Sequence, residues 1–562
     1  MEPVTIAASL RELAGYLRLE GDGYRAKAYE TAARTIEAVH DLARRVRDET
    51  LTELPGIGTS IARVVTELER RGTTPTLEKL RAKWPPTLVE LAQLPGVGLK
   101  RARTLIEQLK PADLDELVAM VEAGRAREVP GFGKITEAKL LEALRGRHTA
   151  SDTMLLIEAR RLSQMLADYV RACGAAREVH VAGDTRRWME MVDELVLVVA
   201  TTTPAAIAEH VRRYPMALEV VEVLDDARGE GGPRALQVRL TQGARARIVL
   251  AAPARVGVAV IVATGSAAHV DALATHARAG GRELNAIDGD EAAVYATLGV
   301  PFVPPEVRDG EGEVGRAWGD LVTLADVRGA VHCHTDYSDG RHTVAQMTGA
   351  AASRGLGFIT ITDHSRSAYY ANGLDDDRLR AQWDEIAEVQ RGAKVRLLRG
   401  VEADILADGA LDVSDEALRE LDVVIASIHN RHKLDEAAMT RRLVAALRAP
   451  VFKIWGHAMG RMLPRRPPIA VRFDEVLDAI EGSDVAIEIN GDPHRLDMDP
   501  VRARQAAARG ARFVLSSDAH STRGLDDVEL AVAMARRARL RPAQILNTLP
   551  ADEFARLVRP VR

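Results

Sequence analysis

The sequence predicts a multidomain chain: a helical front, a middle region and a carboxyl-terminal α/β barrel of alternating strands and helices. Three observations predict it. An apolar-Pro-Gly-x-Gly motif recurs through the first 135 residues, and short apolar, β-rich runs alternate with helix-like segments after Gly329. Between them, Val300 to Val314, VPFVPPEVRDGEGEV, concentrates Pro and Gly as a linker does. A length of 562 residues allows roughly three to five domains. With 46% of residues hydrophobic and 28% charged, the composition is globular and can fill several cores.

The barrel organises the chain. Gly329 to Gly340, GAVHCHTDYSDG, ends an apolar run on two histidines that flank one cysteine, and Asp339 follows. Residues i and i+2 of a strand share a face, so His332 and His334 are expected to turn both imidazoles to one ion, with Cys333 packed into the barrel wall. GFITITDH then ends at Asp363 and His364, VRLLRGVEAD carries Glu402, and LDVVIASIH ends at His429. VFKIWGH ends at His457, DVAIEIN at Glu488 and Asn490, and ARFVLSSDAH at Asp518 and His520. Helix-like segments such as Thr343 to Ser353, Asp376 to Arg391 and Asp415 to Glu420 separate the runs, the βα alternation of a parallel barrel. Working residues of such barrels sit at the carboxyl ends of the strands, where these side chains fall.

Asp326 to Arg562 resembles the PHP (polymerase and histidinol phosphatase) domain, and the resemblance implies a (βα)7 TIM-like barrel with a cluster of three divalent ions. Carried over, it implies that His332, His334, Glu402 and Asp518 hold one ion. Glu402 then bridges to a second at His429 and His457, and Asp339, His364 and His520 hold the third. Asp363 and Glu488 are expected to orient ligands rather than bind. Imidazoles and carboxylates without a thiolate favour zinc, manganese or iron over magnesium or calcium. Clustered ions acidify water and stabilise phosphate oxygens, so phosphoester hydrolysis is expected, with Glu402, Asp518, His520 and His334 as its catalytic residues.

The front is slightly basic: Met1 to Ala150 has 24 Lys and Arg against 22 Asp and Glu, with 52 against 59 beyond, in a chain of net charge −5. LPGIGTSIARVV from Leu54, LPGVGLKRARTLI from Leu94 and VPGFGKITEAKLL from Val129 form an internal repeat. Their glycines permit a tight turn and expose backbone N–H groups to a phosphate. Each resembles a helix-hairpin-helix, which holds DNA backbone without reading sequence. The expected DNA contacts are Gly56, Gly58, Gly96, Gly98, Gly131 and Gly133 with Lys100, Arg101, Arg103 and Lys134. Upstream, two amphipathic helices are expected, with Leu17, Leu19, Tyr29, Ala32 and Ile36 inward. With the first hairpin they resemble the small amino-terminal domain of family X DNA polymerases. Val64 stands at the lysine position of relatives with a lyase, so no Schiff base is expected there; Lys27 reads as an exposed helix lysine.

Ser151 to Trp318 resembles the family X palm, an α+β nucleotidyltransferase-like domain, and its following subdomain. The family pattern is Gly-Ser-x-Arg-Arg, a glutamate, then Asp-x-Asp; here GDTRRWMEMVDELVLVV runs from Gly183. Aligned on Gly183, Arg186, Arg187 and Glu190, the serine becomes Asp184 and the paired aspartates Glu194 and Val196. The third aspartate becomes Arg247. Two-metal nucleotidyl transfer needs carboxylates at i and i+2 and one on a neighbouring strand, and no register supplies them. The polymerase centre is expected to be degenerate.

Five domains are expected: residues 1–88 and 89–150 for the hairpins, 151–250 for the palm, 251–318 for its following subdomain and linker, and 326–562 for the barrel. The chain as a whole resembles a bacterial family X polymerase with a PHP domain. The function implied is a metal-dependent 3′-to-5′ exonuclease or 3′-end phosphoesterase on gapped, nicked or single-stranded DNA ends, in repair. An active gap-filling polymerase, a small-molecule phosphatase and a non-catalytic DNA scaffold are the alternatives. Two cysteines, Cys173 and Cys333, make no disulfide framework, and the opening MEPVTIAASLRELAGYL is not a leader, so a cytoplasmic protein without membrane spans is expected.

Overall fold

A computed structural model describes residues 3–37, 42–54, 56–84, 88, 91, 97–111, 114–133, 136–138, 140–141, 144, 153–224, 234–240, 243–483 and 485–560. Contacts divide the chain between Asp152 and Thr153. Among the described residues no helix is long and apolar enough to cross a membrane.

The first unit is helical. Helices α1 (Pro3–Leu19) and α2 (Gly23–Glu37) pack together by burying Leu10, Leu13, Leu17, Tyr29, Ala32 and Ile36, a stripe at helical spacing. The Leu19 side chain lies outside the described residues. Helix α3 (Thr59–Arg71) adds Val64, Val65 and Leu68 to the same core, so the position of the lyase lysine is an apolar packing position here. Lys27 is exposed. A second core gathers Leu88, Leu91, Leu105, Leu117 and Leu144, and Trp84 packs against both.

The middle of the second unit is a sheet of β1 (Glu178–Ala182), β2 (Leu195–Ala200), β3 (Ala217–Leu224), β4 (Arg234–Leu240) and β5 (Arg245–Ala251). The strands lie in the order β1-β2-β5-β4-β3, and only β2 and β5 are parallel. Every residue of β2, LVLVVA, is buried, because helices Leu156–Arg171 and Val256–Thr264 pack on it.

The barrel strands are β6 (Gly329–Cys333), β7 (Phe358–Ile361), β8 (Arg396–Asp404), β9 (Val423–Ser427), β10 (Lys453–Trp455), β11 (Val485–Asn490) and β12 (Arg512–Ser516). They pair in parallel in chain order. Strands covered on both faces read as continuous apolar runs, as these do. The ends meet just past the strands: His334 N donates to Ala519 O at 2.9 Å and Ala519 N to His332 O at 3.0 Å. Closure therefore draws the segments that carry His332, His334, Asp518 and His520 together.

The segment read as a linker is packed. Arg308 and Glu313 are fully buried, Arg308 donating to Glu291 at 2.7 Å and Glu313 meeting His269 at 2.5 Å. The prolines and glycines shape a path across the protein rather than a spacer, because polar groups along it find buried partners. Glu311 and Glu306 bind barrel arginines, Arg504 at 3.0 Å and Arg536 at 2.8 Å. Palm and barrel meet again at Glu190, which faces Arg461 at 3.3 Å and also Arg537.

Candidate metal centre

Glu402 lies inside the barrel mouth, near the end of β8, with almost no exposed surface. One oxygen, Oε1, stands 2.9 Å from His457 Nε2, 3.2 Å from His429 Nε2 and 3.3 Å from His332 Nε2. The other, Oε2, stands 2.9 Å from His364 Nδ1 and 3.7 Å from His334 Nε2. Five imidazoles from four strand ends thus converge on one carboxylate. Asp518 approaches His334 Nε2 at 3.2 Å and His332 Nε2 at 3.6 Å. Asp339 approaches His520 Nε2 at 3.3 Å and His364 Nε2 at 3.6 Å.

Three overlapping groups have ligand atoms within 4.8 Å of one another: His332, His334 and Asp518; His364, Glu402 and His429; and His334, Asp339, His364 and His520. All nine residues expected as ligands are brought together, but the grouping differs from the one carried over. His364 lies beside Glu402 as well as Asp339, and His457 reaches Glu402 without joining a group.

The backbone departs from simple strand alternation. The register slips between Ala330 and Cys333, and His332 has φ +62°, His457 φ +25° and Asp518 φ +51°. Side chains other than glycine pay strain in this region, and such strain concentrates at working sites. His332 and His334 face one centre because a bulge turns them in, not because a regular strand alternates. Cys333 packs in the wall with Ala330, Val344 and Ile361, and burial pushes its thiol well up.

The donors fit divalent ions. Nε2 of His332, both ring nitrogens of His334, Nδ1 of His364, Nε2 of His429 and Nδ1 of His457 are buried without a hydrogen bond. Buried polar atoms ordinarily have partners, so a cluster of unpartnered imidazole nitrogens around carboxylates points to cations. Burial alone would raise the Glu402 carboxyl, but His429, His332 and His364 hold it well below the usual range. Burial, with His520 and His364 close by, pushes His334 down to about 3, the neutral form a ligand needs.

Other carboxylates aim the rings. Glu488 meets His332 Nδ1 at 2.6 Å, accepts from Ser516 Oγ at 2.6 Å and accepts from the His457 N–H. The Asp363 carboxylate accepts from Thr335 N at 2.8 Å, Thr335 Oγ1 at 2.7 Å and Gln382 Nε2 at 2.5 Å, fixing the loop that carries Asp339. Two residues escaped the sequence reading. Asp404, meeting His429 Nδ1 at 2.5 Å, lies two residues beyond Glu402, so strand period 2 was an available signal. Arg495, whose Nε stands 3.3 Å from Asp518, sits in an irregular loop with no period to reveal it.

Elsewhere, Gly56 and Gly131 adopt φ +76° and +90°, and the first and third hairpins repeat one turn. Ile57 N donates to Leu54 O at 3.1 Å, and Phe132 N to Val129 O at 3.0 Å. Ala62 and Glu137 then donate to the carbonyls of Gly58 and Gly133 at 2.9 Å each. Gly98 opens the helix Gly98–Leu109; Arg101 is exposed, and Arg103 pairs with Glu107 at 2.7 Å. Gly96, Lys134 and the Lys100 side chain lie outside the described residues. In the palm, Asp184 pairs with Arg187 at 2.5 Å and Arg186 with Glu291 at 2.5 Å.

Comparison with known proteins agrees with this layout. The helix-hairpin-helix domain family matches residues 2–74, the SAM-like helix-hairpin-helix tandem residues 88–146 and the PHP domain residues 330–492. The DNA polymerase/3'-5' exonuclease PolX of Bacillus subtilis (strain 168) is 29% identical over 97% of both chains. Along nearly its whole length the chain resembles the bacterial family X DNA polymerases with a carboxyl-terminal PHP domain. The PHP part also resembles separate proteins: a probable phosphatase of Caldanaerobacter subterraneus subsp. tengcongensis is 28% identical, aligned over 39% of this chain and 85% of its own. Another, of Acetivibrio thermocellus, is 30% identical over 34% of this chain and 78% of its own. PHP domain and phosphatase likeness support a metal-dependent phosphoester hydrolase, and the hairpins together with the PolX likeness support DNA binding.

Proposed function

We propose that the PHP centre is a 3′-to-5′ exonuclease or 3′-end phosphoesterase for gapped or nicked DNA, and that the palm no longer polymerises. The observation that carries the first half is Glu402 among five imidazoles, four of which turn toward it a buried nitrogen that lacks a hydrogen bond. His332, His334, Glu402 and Asp518, with His429, His457, Asp339, His364 and His520, would hold the ions. Three ions, of manganese, zinc or iron, are the proposed complement. When bound, such ions acidify water and place positive charge against the ester oxygens. Glu488 and Asp404 keep the rings of His332 and His429 aimed inward. The hairpins hold the DNA backbone without reading sequence.

The second half rests on the palm. Val196 and Arg247 are register partners on adjacent parallel strands, so a cation and an isopropyl group stand where two carboxylates are needed. Digestion of end-labelled gapped DNA with added manganese, with and without dNTPs, tests both halves. Shortening from the 3′ end in both conditions is expected; lengthening with dNTPs would restore the polymerase reading. The phosphatase likeness favours a second reading, hydrolysis of small phosphate esters by the barrel alone. It leaves the hairpins without a role.

A further inference from the structure

Tyr369 and Tyr370 stand on a 3-10 turn, Tyr369–Ala371, and leave 88% and 70% of their surface in water. Folding gains little from two adjacent rings so exposed. The turn beneath them is nonetheless firmly built. Ala368 and Ala371 are buried, Ser367 N donates to Asp412 Oδ2 at 2.6 Å, and Arg366 Nε donates to Oδ1 at 3.1 Å. Gly373 N donates to Ala368 O at 3.1 Å, and a Cβ on Gly373 would meet Ser365 O at 1.9 Å. The fold holds these rings out in a set place.

That place adjoins the centre. The Tyr370 ring lies 6.2 Å from the His364 ring and 6.3 Å from the His429 ring. Exposed aromatic faces beside a hydrolytic centre are how unpaired nucleic acid is held without sequence preference, since every base has a stacking face. A small ester filling the centre would leave both rings unused. We infer that Tyr369 and Tyr370 form a stacking platform for the unpaired terminal bases of a DNA strand whose phosphodiester lies at the metal centre. They thereby favour nucleic acid over small esters. The inference deepens the phosphoesterase reading above and rests on it.

The test compares the full-length protein with its Tyr369→Ala/Tyr370→Ala and Tyr369→Phe/Tyr370→Phe variants. With manganese, kcat/KM is measured for a single-stranded oligonucleotide and for bis(p-nitrophenyl) phosphate. The ratio of the two is expected to fall about tenfold or more in the alanine pair, mainly through KM for the oligonucleotide, and to hold in the phenylalanine pair. With a chelator and no added metal, an oligonucleotide ending in 3′ 2-aminopurine reports stacking as quenched fluorescence. Quenching is expected with the parent and the phenylalanine pair and not with the alanine pair. An unchanged ratio, unchanged quenching in the alanine pair, or equal loss in the phenylalanine pair would overturn the platform. A parent that cleaves the small diester but no oligonucleotide brings down the nuclease reading itself, before any variant is made.

Discussion

Arg247 Nε donates to Glu194 Oε2 at 3.1 Å, so the carboxylate aligned with the first of the family's paired aspartates is taken up by a cation. Val196 stands beside Arg247 in register, and Gly183, φ +64°, lies against it: a Cβ there would meet Val196 Cγ2 at 2.7 Å. An ion held for nucleotidyl transfer would have to displace the guanidinium and gain two carboxylates. Removing the proposed nuclease with His332→Ala/His334→Ala is therefore expected not to unmask primer extension with dNTPs and manganese. Adding Val196→Asp should also fail, because Arg247 remains. Template-dependent extension by the double variant would overturn the degenerate palm.

Glu402→Ala removes the carboxylate that five imidazoles surround. Loss of bound manganese is expected, with cleavage of end-labelled DNA falling by about a thousandfold or more, since several kcal/mol of charge stabilisation go with the ions and each 1.36 kcal/mol is about tenfold. DNA retention should hold. Cleavage at the parental rate would show that the cluster is not the catalyst.

Asp404→Asn leaves every ligand in place but weakens the hold on His429 Nδ1. Manganese affinity measured by calorimetry is expected to fall about 10- to 100-fold, as for other partners of ligating histidines. Unchanged affinity would make Asp404 a bystander.

The residues gathered at the barrel mouth were legible in the sequence because strand ends recur at readable intervals and each carries a His, Asp or Glu. How the ligands share the space was not legible. His364 joins Glu402 through barrel closure, and His332 turns inward through a bulge at φ +62°, both products of tertiary packing that no periodicity records. The palm's missing carboxylates were visible as residue types, whereas the Arg247–Glu194 pair depends on strand register. The Pro- and Gly-rich stretch misled, because composition reports a turning backbone and not what Arg308 and Glu313 find when they are buried.

The hairpin turns give a prediction free of the barrel. Gly131, φ +90°, has open space where a Cβ would go, whereas at Gly56, φ +76°, a Cβ would lie 3.0 Å from Thr31 Cγ2. Gly131→Val therefore tests backbone conformation, with about 1–2 kcal/mol of strain against the turn. Weaker DNA retention is expected, with hydrolysis of a small phosphoester unchanged. Equal loss of both would signal general unfolding instead.

Glu190 gives the last prediction, for the joint between palm and barrel. Its carboxylate lies between Arg461 and Arg537, whose side chains are only 8% exposed. Burial would raise its pKa, but Arg537 and Arg461 more than offset that and hold it below its ordinary 4.5. A carboxyl depressed in the folded protein adds stability above its unfolded value, and that stability is lost as pH falls through the folded value. Removing the carboxylate also leaves two buried guanidiniums facing each other, a loss of about 3–5 kcal/mol. Glu190→Ala is thus expected to lower the melting temperature of the full-length protein at pH 7. The gap between parent and variant should narrow as pH drops below 4.5. Calorimetric melts from pH 7 to 3 decide it: a gap that stays constant with pH, or one worth under about 1 kcal/mol at pH 7, would show that the ion pairs do not secure the joint.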